Sequence, residues 1–273
     1  MTDYPLRVAL IKALRYFKSM GIIVEEFIEA IKVRDPKEPG RERKLKAEKR
    51  MSIFWRKVFA RQKELIASRA TSLKKLSDYD FLFDDQFDLS DDEEAELINM
   101  WTDFLVDGVH LFGEANPIGL DYTLVNARAA KKAREAALFL KGEINQTSKD
   151  AIRQALEAFV TTPGMTIGDV IDLLPFSEER AWSIATTEIT RVYADAELEA
   201  GAEMKEQFPD VPVVKEWFTN NDDLVCEICG PMHEMTVDLD EPFVDDFGGE
   251  HEAPPAHVNC RCWLSTHTEI ERA

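Results

Sequence analysis

The sequence predicts an α+β fold that is mostly α. A helical N-terminal region is followed by a small C-terminal β-containing unit with a Cys/His zinc-type knuckle. Three observations predict this. Apolar residues recur every three to four positions through most of the chain up to Pro209. Beyond Pro209, short β-branched and aromatic runs alternate with Gly, Pro and Asp. All four cysteines, with a histidine beside them, fall between Cys226 and Cys262.

The elements follow in order. Residues 4–33 read as helix, with Leu6, Leu10, Leu14 and Phe17 on one spacing and Val24, Phe27, Ile28 and Ile31 on another. Two prolines and a glycine in RDPKEPG (34–40) interrupt it. A long basic helix runs from about Arg41 to Leu76. Its stripe of Met51, Phe54, Trp55, Val58, Phe59, Leu65 and Ile66 is built to face either the body or a partner. Residues 77–92 form an acidic loop in which Phe81, Phe83 and Phe87 anchor to the body. Ser90 and Glu93 fit a capping box, and Leu97, Met100, Trp101, Phe104 and Leu105 continue that helix to GEANPIG (113–119). Asp121 to Lys141 reads as a helix, and NQTSKD (145–150) as the start of another, through about Val160. TTPGMT (161–166) punctuates the chain, and a short helix then ends at Pro175. Ser177 caps a long final helix. VPVVKEWFT, EMTVDLD and CRCWLSTHT read as strands, and residues 241–255 as a loop. The expected organisation is a basic helical arm (1–76), a helical body (77–210) and a small Cys/His unit (211–273) packed on helix 177–206.

The net charge of −19 is unevenly distributed. Residues 1–75 carry 20 Lys and Arg against 9 Asp and Glu, and the remainder carries 13 against 43. A basic arm beside an acidic body follows, and the body is a poor match for nucleic acid. The opening residues do not read as a secretory leader, and no apolar run approaches a membrane span. The expected compartment is a cytoplasm, and no membrane partner is expected.

Cys226 and Cys229 form a C-x-x-C turn, followed by Gly230 and Pro231. His257, Cys260 and Cys262 form a second cluster about thirty residues later. Each cluster can supply two corners of a tetrahedron, so the pattern predicts a structural zinc site with five candidates for four places. Cys226 and Cys229 come first, then His257 and Cys260, with Cys262 competing with Cys260. The alternatives are reduced core thiols, or a disulfide between the clusters, which needs oxidising surroundings. HEAPPAH (251–257) is not a metalloprotease helix: its histidines are six apart, and Pro254 and Pro255 forbid helix. On the long helix, Thr186, Thr187, Glu188, Thr190 and Arg191 are polar. Glu188 and Arg191, three apart, fit a surface pair, the alternative being buried polar contact with the β-unit or part of an active site.

The order of parts resembles the phage Mu F-like minor head proteins, the phage head morphogenesis family. The resemblance rests on AWSIATTEITRVYADAELEAG, then KEWFTNNDDLVCEICGPMHE, then PPAHVNCRC, and covers roughly residues 95–266. Ala185, Thr187 and Glu188 match its helix motif. Trp217, Thr219, Asp223, Cys226 and Cys229 match its strand and cysteine turn, and His257, Asn259, Cys260, Arg261 and Cys262 its closing motif. Thr186 stands where the family has Arg, and Val258 where it has Pro. The resemblance implies a non-enzymatic, low-copy protein of the virion head interior, present in the host cytoplasm during assembly. It implies binding to the portal, the scaffold or the major capsid protein, and a part in head morphogenesis and DNA packaging or ejection. The basic arm then docks through its Phe54–Trp55–Phe59 stripe or touches packaged DNA. The alternative is an ADP-ribosyltransferase-like or other phage-encoded enzyme built on the same C-terminal unit. The sequence holds no dinucleotide, P-loop, esterase or kinase signature.

Overall fold

The computed structural model describes residue 29 and residues 32–70, 85–116, 122–161 and 166–268. The helix expected over 4–33 lies almost wholly outside these residues, as do Phe81 and Phe83.

Among the described residues, five helices carry the body. α1 (Arg41–Ala70) begins after Gly40, whose φ of 65° and contact with Leu111 leave no room for a side chain. α2 (Asp91–Ala115) opens on the expected capping box: Ser90 Oγ accepts from the Glu93 N–H, and Glu93 accepts from the Ser90 N–H. α3 (Tyr122–Thr161) is one unbroken helix of 40 residues, which corrects the expected restart at NQTSKD. Thr147 and Ser148 turn their hydroxyls back onto the carbonyls of Glu143 and Ile144, four residues earlier. Asn145 and Lys149 reach across to Asp88. The polar cluster therefore satisfies itself within the helix instead of ending it. α4 (Ile167–Asp172) has its own capping box from Thr166 and Asp169, and Ser177 caps α5 (Glu178–Gln207) as expected.

The α1 stripe faces the body. Met51, Phe54, Trp55, Val58 and Phe59 are buried against Trp101, Phe104 and Leu105 of α2 and Ile184, Ile189 and Val192 of α5. The expected docking of Phe54, Trp55 and Phe59 on a partner is therefore corrected: those rings are consumed by the chain's own core. Ile66, Phe87, Ile152, Leu156, Val170 and Leu174 make a second cluster, in which Phe87 is the anchor expected. The uneven charge is partly resolved in the same place. Arg43 pairs with Asp107 and Glu114, Arg50 with Asp103, Arg61 with Glu93 and Arg56 with Glu178. Most of these pairs are exposed, where solvent screening leaves each weak, and Arg61–Glu93 is half-buried. Together they match the basic helix to the acidic ones.

β1 (Val213–Phe218) is the centre of an antiparallel sheet of order β2–β1–β5, with β2 at Met235–Asp238 and β5 at Trp263–Thr268. Trp217 lies opposite Met235 on one side and Leu264 on the other. The sheet packs on α5 at Gly201, where an added Cβ would sit 2.6 Å from Thr266 Cγ2. The stretch 241–255, expected as loop, contains a two-stranded hairpin, β3 (Phe243–Val244) with β4 (Glu250–His251). Its turn forms around Asp245, whose carboxylate accepts from the N–H groups of Phe247 and Gly249. Strands of two residues carry too little alternation to be read from sequence. Among the described residues no helix is long and apolar enough to cross a membrane.

Candidate metal centre

The sheet places two loops side by side. The first leaves β1 and turns at Cys226–Cys229. The Gly230 N–H donates to the Cys226 carbonyl (2.9 Å), and the Cys229 N–H points at Cys226 Sγ (3.4 Å). A short 3-10 turn, Gly230–Met232, follows with Pro231 inside it. The second loop holds His257–Cys260, closed by the Cys260 N–H on the His257 carbonyl (3.2 Å). Its tight turn uses Asn259 at a φ of 63°, a conformation that asparagine tolerates better than most residues.

Helix α5 fixes this second loop from beneath. The Thr187 hydroxyl accepts from the Asn259 N–H (2.9 Å) and donates to the Ser183 carbonyl (2.7 Å). The Thr190 hydroxyl donates to the Cys260 carbonyl (2.9 Å). Two threonines three apart lie on one helix face, so buried polar contact with the β-unit is what Thr187 and Thr190 provide. Glu188 and Arg191 do pair (3.1 Å), with Glu188 largely buried and Arg191 exposed. Burial raises the Glu188 carboxyl above its ordinary range, against the pull of Arg191.

All five candidate donors converge. Cys226, Cys229 and His257 form one group and Cys229, Cys260 and Cys262 another, the ligand atoms within each lying within 4.8 Å of one another. Cys229 belongs to both. His257 Nε2 lies 3.0 Å from Cys226 Sγ and 3.3 Å from Cys229 Sγ, and the sulfurs of Cys229 and Cys260 are 3.8 Å apart. A tetrahedral zinc with bonds of about 2.3 Å to sulfur sets two sulfurs about 3.8 Å apart, the separation of Cys229 and Cys260. His257 Nδ1 is 2.8 Å from the Val258 carbonyl. A proton on Nδ1 completes that bond and leaves the Nε2 lone pair toward the sulfurs, the orientation of a metal-binding imidazole. A cavity of about 20 Å³ lies among these side chains, with Asn220 and Arg261 also at its edge. All four cysteines are free, so the disulfide alternative has no counterpart here.

The electrostatics fit a cation. Hydrogen bonds from the Cys229 thiol and His257 bring Cys226 down to about 4, despite partial burial. Burial opposes an imidazolium at His257, but the sulfurs of Cys226 and Cys260 outweigh it and raise the ring to about 9. Cys229 is driven up because its proton is held among the sulfurs of Cys226, Cys260 and Cys262. Without a cation these thiols share protons. A bound dication removes that conflict by stabilising every thiolate at once. Sulfur and imidazole donors suit zinc above magnesium or calcium.

The residues present therefore fit a metal ion. The segment holding them also matches known proteins: the family described as phage Mu protein F like protein matches residues 129–265, just over half of the chain. The chain belongs to the phage Mu F-like family. It is accordingly a bacteriophage head morphogenesis protein, which places it with other head components in the virion. The family segment runs from within α3 to β5 and takes in all five donors; α1 and α2 precede it. No curated protein and no solved structure matches the chain significantly.

The site also has two residues that sequence reasoning missed, Asn220 and Asp222, and both meet Arg261 or each other. Arg261 makes a two-pronged pair with Asp222 (2.7 and 2.8 Å), and Asn220 joins it at Asp222 (2.6 Å). The CRC spelling of the motif was the available signal, since an arginine between two donors must point away from them. His251 is excluded from the site: its Nε2 bonds Asp245 (2.9 Å).

Proposed function

We propose that this chain is a minor head protein that works in head morphogenesis by binding the portal or other components of the procapsid interior. Its C-terminal unit is stapled by one structural zinc. The ion is held by Cys226, Cys229, His257 and Cys260, with Cys262 as competitor for the place of Cys260. The observation that carries this reading is the convergence of five soft donors inside the family segment. A four-ligand site is closed, so zinc contributes folding energy there and no catalysis. The unit needs that contribution. Cys229, Cys260 and Cys262 stand in its small core beside Trp217, Met232, Phe243 and Leu264.

The contact with other head components is electrostatic on the side of α1. With its aromatic stripe buried, the helix presents Lys46, Lys49 and Lys57 outward, beside Arg43, Arg50 and Arg56, whose charges are already met by acidic residues of α2 and α5. Such a face suits packaged DNA or an acidic surface of a head protein, which supports a part in DNA packaging or ejection. The test is zinc per chain by native mass spectrometry, together with incorporation into heads, for wild type and Cys226→Ser. One zinc in wild type, lost in the variant along with incorporation, supports the reading. A metal-free wild-type chain sinks the staple, and heads that assemble normally without the chain sink the morphogenetic role.

A further inference from the structure

The segment just before α1 is fastened to the metal centre. The Val33 carbonyl accepts from Arg261 Nη1 (2.7 Å) and from Asn220 Nδ2 (3.1 Å). The Asp35 N–H donates to Asn220 Oδ1 (2.7 Å). Asn220 lies on the loop that leads into Cys226, and Arg261 stands between Cys260 and Cys262. One residue away, the Arg34 guanidinium is fully buried. It donates to Glu38 (2.8 Å), Glu48 (2.8 Å) and the Thr190 hydroxyl (3.0 Å). That same hydroxyl donates to the Cys260 carbonyl. Each of these ties to the C-terminal half therefore ends on a donor loop or on the threonine that holds one.

Besides their donors, those loops are held by Thr187 and Thr190 of α5, by the Arg261–Asp222 pair and by a small core. Among the described residues the core of the unit is small, and three of its eight fully buried members are cysteines. By contrast, α2, α3 and α5 share a large apolar core that does not include the knuckle. The two regions should open separately, the knuckle first.

We propose that the knuckle is a latch: metal occupancy holds Val33–Gly40 against the body, and metal loss releases that segment while the α2–α3–α5 core stays folded. This rests on the metal reading above. It gives the head protein a strap ahead of α1 whose docking depends on metal.

Hydrogen–deuterium exchange on the full chain tests the latch, with zinc counted on the same samples by native mass spectrometry. Stripping the metal with EDTA should speed exchange at least tenfold in peptides covering 33–40, 220–230 and 256–262, and leave 91–115 unchanged. Arg261→Gln should keep one zinc and speed exchange in 33–40 alone. Asn220→Ala, which removes both bonds to the strap from the other loop, should do the same. If metal loss opens the two loops but 33–40 stays protected, the latch is wrong and the metal reading survives. Loss of protection everywhere, 91–115 included, also overturns it, because the latch would then be the whole fold. Unchanged exchange in 33–40 for both variants overturns it too. A chain that binds no zinc overturns both ideas, and the zinc count distinguishes that outcome from the others.

Discussion

Arg34→Met isolates the buried charge cluster at the start of α1. The wild-type guanidinium serves two carboxylates that are each completely buried, and Lys44 shares Glu38 (2.8 Å). Removing Arg34 leaves Glu38 with Lys44 but takes from Glu48 the cation that is hydrogen-bonded to it, so that Lys44 acts on Glu48 only at longer range. Breaking one side of a buried pair costs about 3–5 kcal/mol, because the other charge stays buried and uncompensated. Burial already raises the Glu48 carboxyl above its ordinary value even with Arg34 beside it. In the variant it takes up a proton more readily still. A folded carboxyl raised in this way contributes stability that is lost as pH rises, so the deficit should be smaller at pH 5 than at pH 8. Adding Glu48→Met removes the second partner and should recover at least ~2 kcal/mol, since apolar replacement of both sides is often nearly neutral. Urea denaturation of wild type, single and double variants at both pH values measures this. A single variant within ~1 kcal/mol of wild type, or a double variant no better than the single, refutes the reasoning.

Two glycine-to-alanine changes should have opposite signs. At Gly108 in α2 the new Cβ would sit 2.6 Å from Ala196 Cβ, with the Tyr193 backbone at 3.6 Å, so nothing flexible can yield. Overpacking of ~1–3 kcal/mol outweighs a helix gain of ~1 kcal/mol, and the melting temperature should fall. Gly142 in α3 has nothing within 4 Å, so the same change there should stabilise by about 0.5–1 kcal/mol; two changes of the same sign would refute the packing argument. Burial pushes the Glu197 carboxyl up to about 7, against the Thr266 N–H that it accepts at 2.9 Å and against Lys44. Its contribution is full below the ordinary carboxylate range and is lost as pH rises toward 7, on the order of 2 kcal/mol after allowance for its partial exposure. Glu197→Gln should therefore flatten the decline in stability between pH 5 and pH 8, and parallel profiles for the two proteins would count against it.

What could be read from the sequence was local. Ser90 with Glu93, and Ser177 ahead of α5, signal helix starts within four residues, and both hold. The α1 stripe gives the buried face but not its target, because a period of three to four is the same whether a helix packs on its own chain or on another. NQTSKD misled for a related reason: its side chains compete with the backbone, but in α3 they bond back along the helix or across to Asp88. The candidate donors were legible because they fall in two short clusters of the sequence, and the structure brings those clusters together. The contacts that hold the knuckle were legible only in part: Thr187 and Thr190 stood out as polar, but their targets, like that of Arg34, lie 70 or more positions away.

RDPKEPG shows where the limit lies. Two prolines and a glycine mark it correctly as a break between helices, and four charges in seven residues suggest a solvated surface turn. Yet Arg34, Asp35 and Glu38 are buried, and the segment meets both halves of the chain. Charges enter a core only when each finds a partner, and here the partners are Glu48, Lys44, Thr190 and Asn220. No local pattern encodes that pairing. A turn sequence fixes where the backbone bends; which of its charges leave water is decided by the distant side chains that arrive to meet them.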